Sequence, residues 1–101
     1  MVIAKISIVP VGTNTPSVSQ YVAKAIGVLV QEKSVKYKLT GMGTTILEGT
    51  LADVLQAVRK MHEAVFDTQI KRVVTTIRID DRRDRESSIH RKVQSVTKKL
   101  G

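Results

Sequence analysis

The chain has 101 residues, 42% apolar and 26% charged, which suits one globular domain with a single modest core. It contains no cysteine, so disulfides, thiolate metal sites and thiol catalysis are excluded. Lysine and arginine outnumber aspartate and glutamate 17 to 9, and no apolar run approaches the roughly 18 residues that would cross a bilayer.

From Val2 to Val9 the apolar residues 2, 4, 6 and 8 alternate with Ile3, Lys5, Ser7 and Val9. That is a strand with one face committed to a core. A lysine interrupts the apolar start, which reads as a first strand and not as a signal peptide. With no cysteine, the expected location is the cytoplasm. Pro10 is expected to end the strand, and Gly12-Thr13-Asn14 to form a loop.

Thr15-Pro16 reads as a helix N-cap followed by proline at the first helical position. Val18, Tyr21, Val22, Ala25, Ile26, Leu29 and Val30 then recur at helical spacing, predicting a helix over about 16–32. Residues 35–41 alternate as a second strand, Gly41-Met42-Gly43 makes a tight connection, and Thr44 to Gly49 forms a third strand. Thr50-x-x-Asp53 resembles a capping box and opens a helix over 51–67, with its stripe at Leu51, Val54, Leu55, Val58, Met61 and Val65. Residues 71–80 are rich in β-branched types and predict a fourth strand. Ser87 or Ser88 starts a third helix, with Ile89, Val93, Val96 and Leu100 on one side.

The order β-α-β-β-α-β-α predicts an α+β, ferredoxin-like βαββαβ sandwich. Its four-stranded antiparallel sheet has the order 4-1-3-2, and a C-terminal helix is added. The first and third strands are expected side by side in the centre and parallel. The helices cover one face only. The other face of the first strand, through Ile3 and Val9, is too apolar to stand open, so a second subunit, a ligand or the last helix should cover it.

Recognisable catalytic machinery is missing. His62-Glu63 begins a zinc-protease pattern, but Phe66 stands where the second histidine belongs. No phosphate-binding glycine loop precedes a helix, and no serine pairs with a base. The chain is therefore expected not to be an enzyme and to need no cofactor. In the run Asp80 to Glu86, arginines interleave with acids, which favours mutual ion pairing over a metal. Arg82, Arg83 and Arg85 remain candidates for holding a phosphate or sulfate. Glu48 is the acid on a predicted central strand, where a charge needs a partner. It pairs with Lys5 or Lys36, or it serves as a ligand carboxylate. Parallel central strands would set it beside Pro10 to Asn14, with the Met42-Gly43-Thr44 hairpin at the opposite rim near Asp80.

Three stretches carry a family likeness: Val9-Pro10-Val11-Gly12-Thr13; Tyr37-x-Leu39 with Gly41-Met42-Gly43-Thr44 and Glu48; and Thr75-Thr76-Ile77-x-Ile79-Asp80-Asp81-Arg82. Together they resemble the small thiamine-binding-protein-like family, single-domain relatives of hydroxymethylpyrimidine- and thiamine-binding proteins. The resemblance implies a ferredoxin-like fold, a homotetramer or other homo-oligomer, and thiamine or hydroxymethylpyrimidine as ligand. It makes Pro10, Gly12, Thr13, Tyr37, Met42, Gly43, Thr44 and Glu48 candidate ligand contacts, and Ser7 and Asn14 join them by the polar groups they supply. Hydroxyl, amide and carboxylate groups suit an aminopyrimidine. One alternative is a regulatory or structural oligomer that senses another metabolite or an anion. A nucleic-acid module of the same strand order should display aromatics on its first and third strands, and here neither has one. No membrane partner is expected.

Overall fold

A computed structural model describes residues 1–13, 18–86 and 88–101. The elements run β1 (Val2–Val11), α1 (Ser19–Gln31), β2 (Lys36–Leu39), β3 (Thr44–Gly49), α2 (Leu51–Val65), β4 (Arg72–Asp81) and α3 (Ile89–Leu100). One sheet holds the four strands in the order β2-β3-β1-β4, the order expected of the ferredoxin-like sandwich. Thr15 and Pro16 lie outside the described residues, as does Ser87.

Every neighbouring pair is antiparallel, and β1 pairs with β3 from Val2↔Gly49 to Ser7↔Thr44. This corrects the expectation of parallel central strands. A right-handed β-α-β crossover makes β1 and β2 parallel, and β3 enters between them from a hairpin, so it must run the other way.

The alternation in β1 works as expected. Val2, Ala4, Ile6 and Ile8 are buried under α1 and α2 with Leu29, Leu47, Val54, Val58, Met61 and Ile70. The Thr50 hydroxyl accepts from the Asp53 N–H at 3.1 Å and caps α2. Gly49 is required by close packing, since a Cβ there would stand 3.1 Å from Val35 Cγ1 and 3.4 Å from the Ser34 carbonyl. β1 also runs through Pro10, which pairs with Val73. Past Ser7 the strand has β4 on one side only, so a residue without an N–H is tolerated there.

α3 stands apart. It has no buried residue, and Val93, Val96 and Leu100 of its apolar stripe are 54%, 60% and 82% exposed. The molecule measures 46 × 30 × 20 Å.

Candidate functional site

The strand registers define the face of the sheet turned away from α1 and α2. Three rows cross it. Thr44, Ser7 and Thr76 form a hydroxyl row over β3, β1 and β4. The next row is Lys38, Ile46, Lys5 and Arg78, and the next is Lys36, Glu48, Ile3 and Asp80. Val9 and Val74 flank the hydroxyl row on its other side. The face therefore has a polar centre beside a cationic band.

Glu48 lies four β1 positions from Ser7 in register, roughly 13 Å along the sheet. It is buried, and its Oε1 accepts from the Ile89 N–H at 2.7 Å. It thus tethers the first turn of α3, where an anion meets the helix dipole favourably. Among the described residues neither Lys5 nor Lys36 forms an ion pair with it. The antiparallel register also corrects the grouping of Glu48 with Pro10 to Asn14. Glu48 sits at the rim of Asp80 and Asp81, while the Met42-Gly43-Thr44 hairpin shares the opposite rim with Pro10 to Thr13.

Of the candidate contacts, the structure brings Ser7 and Thr44 together on the open face, with Met42, Gly43, Gly12 and Thr13 toward the same rim. The Thr44 hydroxyl is already engaged, donating to the Gly41 carbonyl at 2.9 Å and bonding to the Thr40 hydroxyl. Met42 and Gly43 both take left-handed backbone, at φ +62° and +71°, and Gly12 does so at +87°. Pro10 is buried. Tyr37 pairs with Leu47 on the helix-side face, away from Ser7. Asn14 lies outside the described residues.

The arginine run is mostly self-neutralised, as its interleaving predicts. Arg82 grips Asp84 at 2.6 and 2.9 Å, which holds that carboxyl down at about 2 and pushes the guanidinium up. Arg83 pairs with Asp81 at 2.9 Å, lowering that acid in turn. Arg85 has no ion-pair partner among the described residues. With Arg82, Arg91, Lys92 and Lys98 it lines an open cleft of about 600 Å³ between the 82–86 loop and α3. Lys92 is bonded to Asp80 there, and among the described residues Arg85, Arg91 and Lys98 have no carboxylate partner. Arg83 is not part of this cleft.

His62 is a packing residue: its Nδ1 and the Thr75 hydroxyl lie 2.6 Å apart, and its ring meets Phe66 edge to face at 5.4 Å. Among the described residues no group of three His, Asp or Glu could hold a metal ion, and no helix is long and apolar enough to cross a membrane. Sequence reasoning missed Thr76, Arg91 and Lys98. The signals were present: Thr76 has the even numbering of the open face of β4, and Arg91 and Lys98 are seven residues apart on one helix face.

The fold and this face define a ferredoxin-like domain whose second sheet face is polar at its centre and buried at Ile3 and Glu48. The chain belongs to the thiamine-binding protein family, whose model matches residues 4–97. It is 46% identical to the UPF0045 protein YqgV of Bacillus subtilis, over 99% of this chain and 98% of that one. The solved structure of the hypothetical protein MJ1052 from Methanocaldococcus jannaschii superposes with a TM-score of 0.85 at 40% identity, covering 95% of each chain. A Thermotoga maritima protein, provisionally described as acting in thiamine biosynthesis or salvage, superposes with a TM-score of 0.76, covering 94% of this chain and 97% of that one. At 21% identity its likeness extends to the fold alone.

Proposed function

We propose that this protein is a non-catalytic, cytoplasmic binding protein for hydroxymethylpyrimidine or thiamine, in free or phosphorylated form. We further propose that it works as a homo-oligomer, a tetramer as the family resemblance implies. The observation that carries the ligand reading is the family match across residues 4–97. The open sheet face supports it. Ser7 and Thr76 offer hydroxyls that can donate to pyrimidine ring nitrogens or accept from an exocyclic amine. Lys5, Arg78 and Lys38 lie beside them. That cationic band disfavours the bare thiazolium and favours a neutral pyrimidine or a phosphate ester. With Glu48 engaged by α3, no free carboxylate among the described residues adjoins the hydroxyl row.

Calorimetry with hydroxymethylpyrimidine, thiamine and the thiamine phosphates tests this reading. Binding of at least one, weakened about tenfold by Ser7→Ala with Thr76→Val, is expected. Binding by none of them would refute it.

A second reading, an anion sensor, is favoured by one observation: the cleft lined by Arg85, Arg91 and Lys98, which have no carboxylate partner among the described residues. Phosphate or diphosphate binding lost in Arg85→Ala, with no pyrimidine binding at all, would favour it over the first.

A further inference from the structure

On the sheet face turned away from α1 and α2, the cationic band has no counter-charge of its own. Lys5 and Arg78 stand directly opposite each other across the β1–β4 ladder, and Lys38 lies in the same row beyond Ile46. Like charges opposed across a ladder are destabilising. All three side chains are exposed, and none has an ion-pair partner among the described residues. Glu48 and Asp80 are the acids of the adjoining row. Both are already engaged by α3, Glu48 by the Ile89 N–H and Asp80 by Lys92. The fold thus keeps an unfavourable pair and directs both neighbouring carboxylates elsewhere. An anion resting on the band would relieve it.

The rows on either side say what kind of anion fits. On one side, two residues along each strand and about 7 Å away, stand the Ser7 and Thr76 hydroxyls. On the other side, at the same spacing, stand Glu48 and Asp80. The band therefore lies between an uncharged hydrogen-bonding row and a row that repels anions. A single phosphate suits it. A ring one methylene from that phosphate lies over the hydroxyls, whereas a second phosphate on the far side would meet carboxylates. A phosphate monoester carries about −1.5 to −2 charge at neutral pH, which offsets Lys5 and Arg78 together. The guanidinium can take two phosphate oxygens at once, and Lys38 approaches from the side on a flexible stem.

The geometry points to a phosphate subsite made by Lys5, Arg78 and Lys38, which selects the phosphate monoester of a small heteroaromatic alcohol over the free alcohol and over the diphosphate. The inference rests on the pyrimidine reading given above and narrows it to one form of the ligand, hydroxymethylpyrimidine monophosphate.

Calorimetry with hydroxymethylpyrimidine, its monophosphate, its diphosphate and inorganic phosphate tests it. The monophosphate should bind at least about tenfold more tightly than each of the other three. Its advantage over the alcohol should fall to within about threefold in Lys5→Gln and in Arg78→Gln. It should also shrink as salt rises from about 0.05 to 0.5 M, since the band is exposed. Without ligand, neither variant should melt below the native protein, because each removes one of two opposed cations. A lower melting point in both would show that the fold already balances the band, and would overturn the subsite. Equal affinity for alcohol and monophosphate, or an advantage that survives both substitutions, would overturn the subsite and leave pyrimidine binding standing. Diphosphate or inorganic phosphate binding as tightly as the monophosphate would overturn the selection of a monoester. Binding of neither the alcohol nor its esters would instead refute the pyrimidine reading itself.

Discussion

Replacing Glu48 by alanine should release α3 and leave the sheet standing. The helix has no buried residue, and its attachment to the domain rests on the Glu48–Ile89 hydrogen bond, the Lys92–Asp80 pair and the half-buried Ile89. The first is a charge-assisted bond at 2.7 Å from a buried carboxylate. Such a bond contributes about 1.5–3 kcal/mol. The exposed lysine pair contributes less, at most about 1 kcal/mol. Losing the carboxylate therefore raises local opening of α3 by roughly 10- to 150-fold. Native-state hydrogen exchange should show that factor at amides 92–100, with protection in Ala4–Ile8 unchanged. Trypsin should cut first at Arg91, Lys92, Lys98 and Lys99. Equal protection of α3 in Glu48→Ala and native protein would refute the tether. Glu48→Gln should keep a weaker, neutral bond, lose stability at α3 and bind any pyrimidine ligand with native affinity. A loss of affinity on that change would return Glu48 to the ligand site.

Gly49→Ala should destabilise the fold by about 1–3 kcal/mol, because the added methyl meets Val35, the Ser34 carbonyl and Val54 within 3.5 Å. A melting temperature within a degree of native would contradict this. Asp67 accepts from the N–H groups of Ile70 at 2.7 Å and Gln69 at 2.8 Å and pairs with Lys24 at 3.1 Å, and these partners lower its pKa, Ile70 most. A carboxyl lowered on folding stabilises above its unfolded value near 4, and that contribution fades as pH falls through the lower folded value. The stability gap between native protein and Asp67→Asn in urea melts should thus shrink below about pH 4. A gap that is constant from pH 7 to pH 2.5 would count against it.

What was legible in the sequence depended on how local its cause is. The β1 alternation, the Thr50 cap and the stripe of α2 are written within a few residues, and the structure repeats them. The strand order followed from the crossover rule, yet the direction of β3 against β1 was misread, and that error moved Glu48 to the wrong rim. The topology places the residues that the sequence singles out at other positions. The partner of Glu48 lies 41 residues away and is a backbone N–H, which no residue type announces. Thr44 and Ser7 were named separately as candidates, and only the antiparallel register makes them neighbours.

The position of β1 between β3 and β4 also sets the order in which the fold can be completed. During synthesis β1 emerges first, and β3 can close one of its sides once Gly49 is available. The other side waits for the last strand, since Val2 pairs with Asp81 and Val11 with Arg72. Until then the nascent chain holds an apolar central strand, Val2 to Val9, with one ladder unfilled. Contacts this distant along the chain close slowly and leave strand edges open to misassembly. Truncation before β4 should therefore give an aggregating fragment and not a smaller domain. The most exposed moment of this protein's life falls between the emergence of Gly49 and that of Asp81.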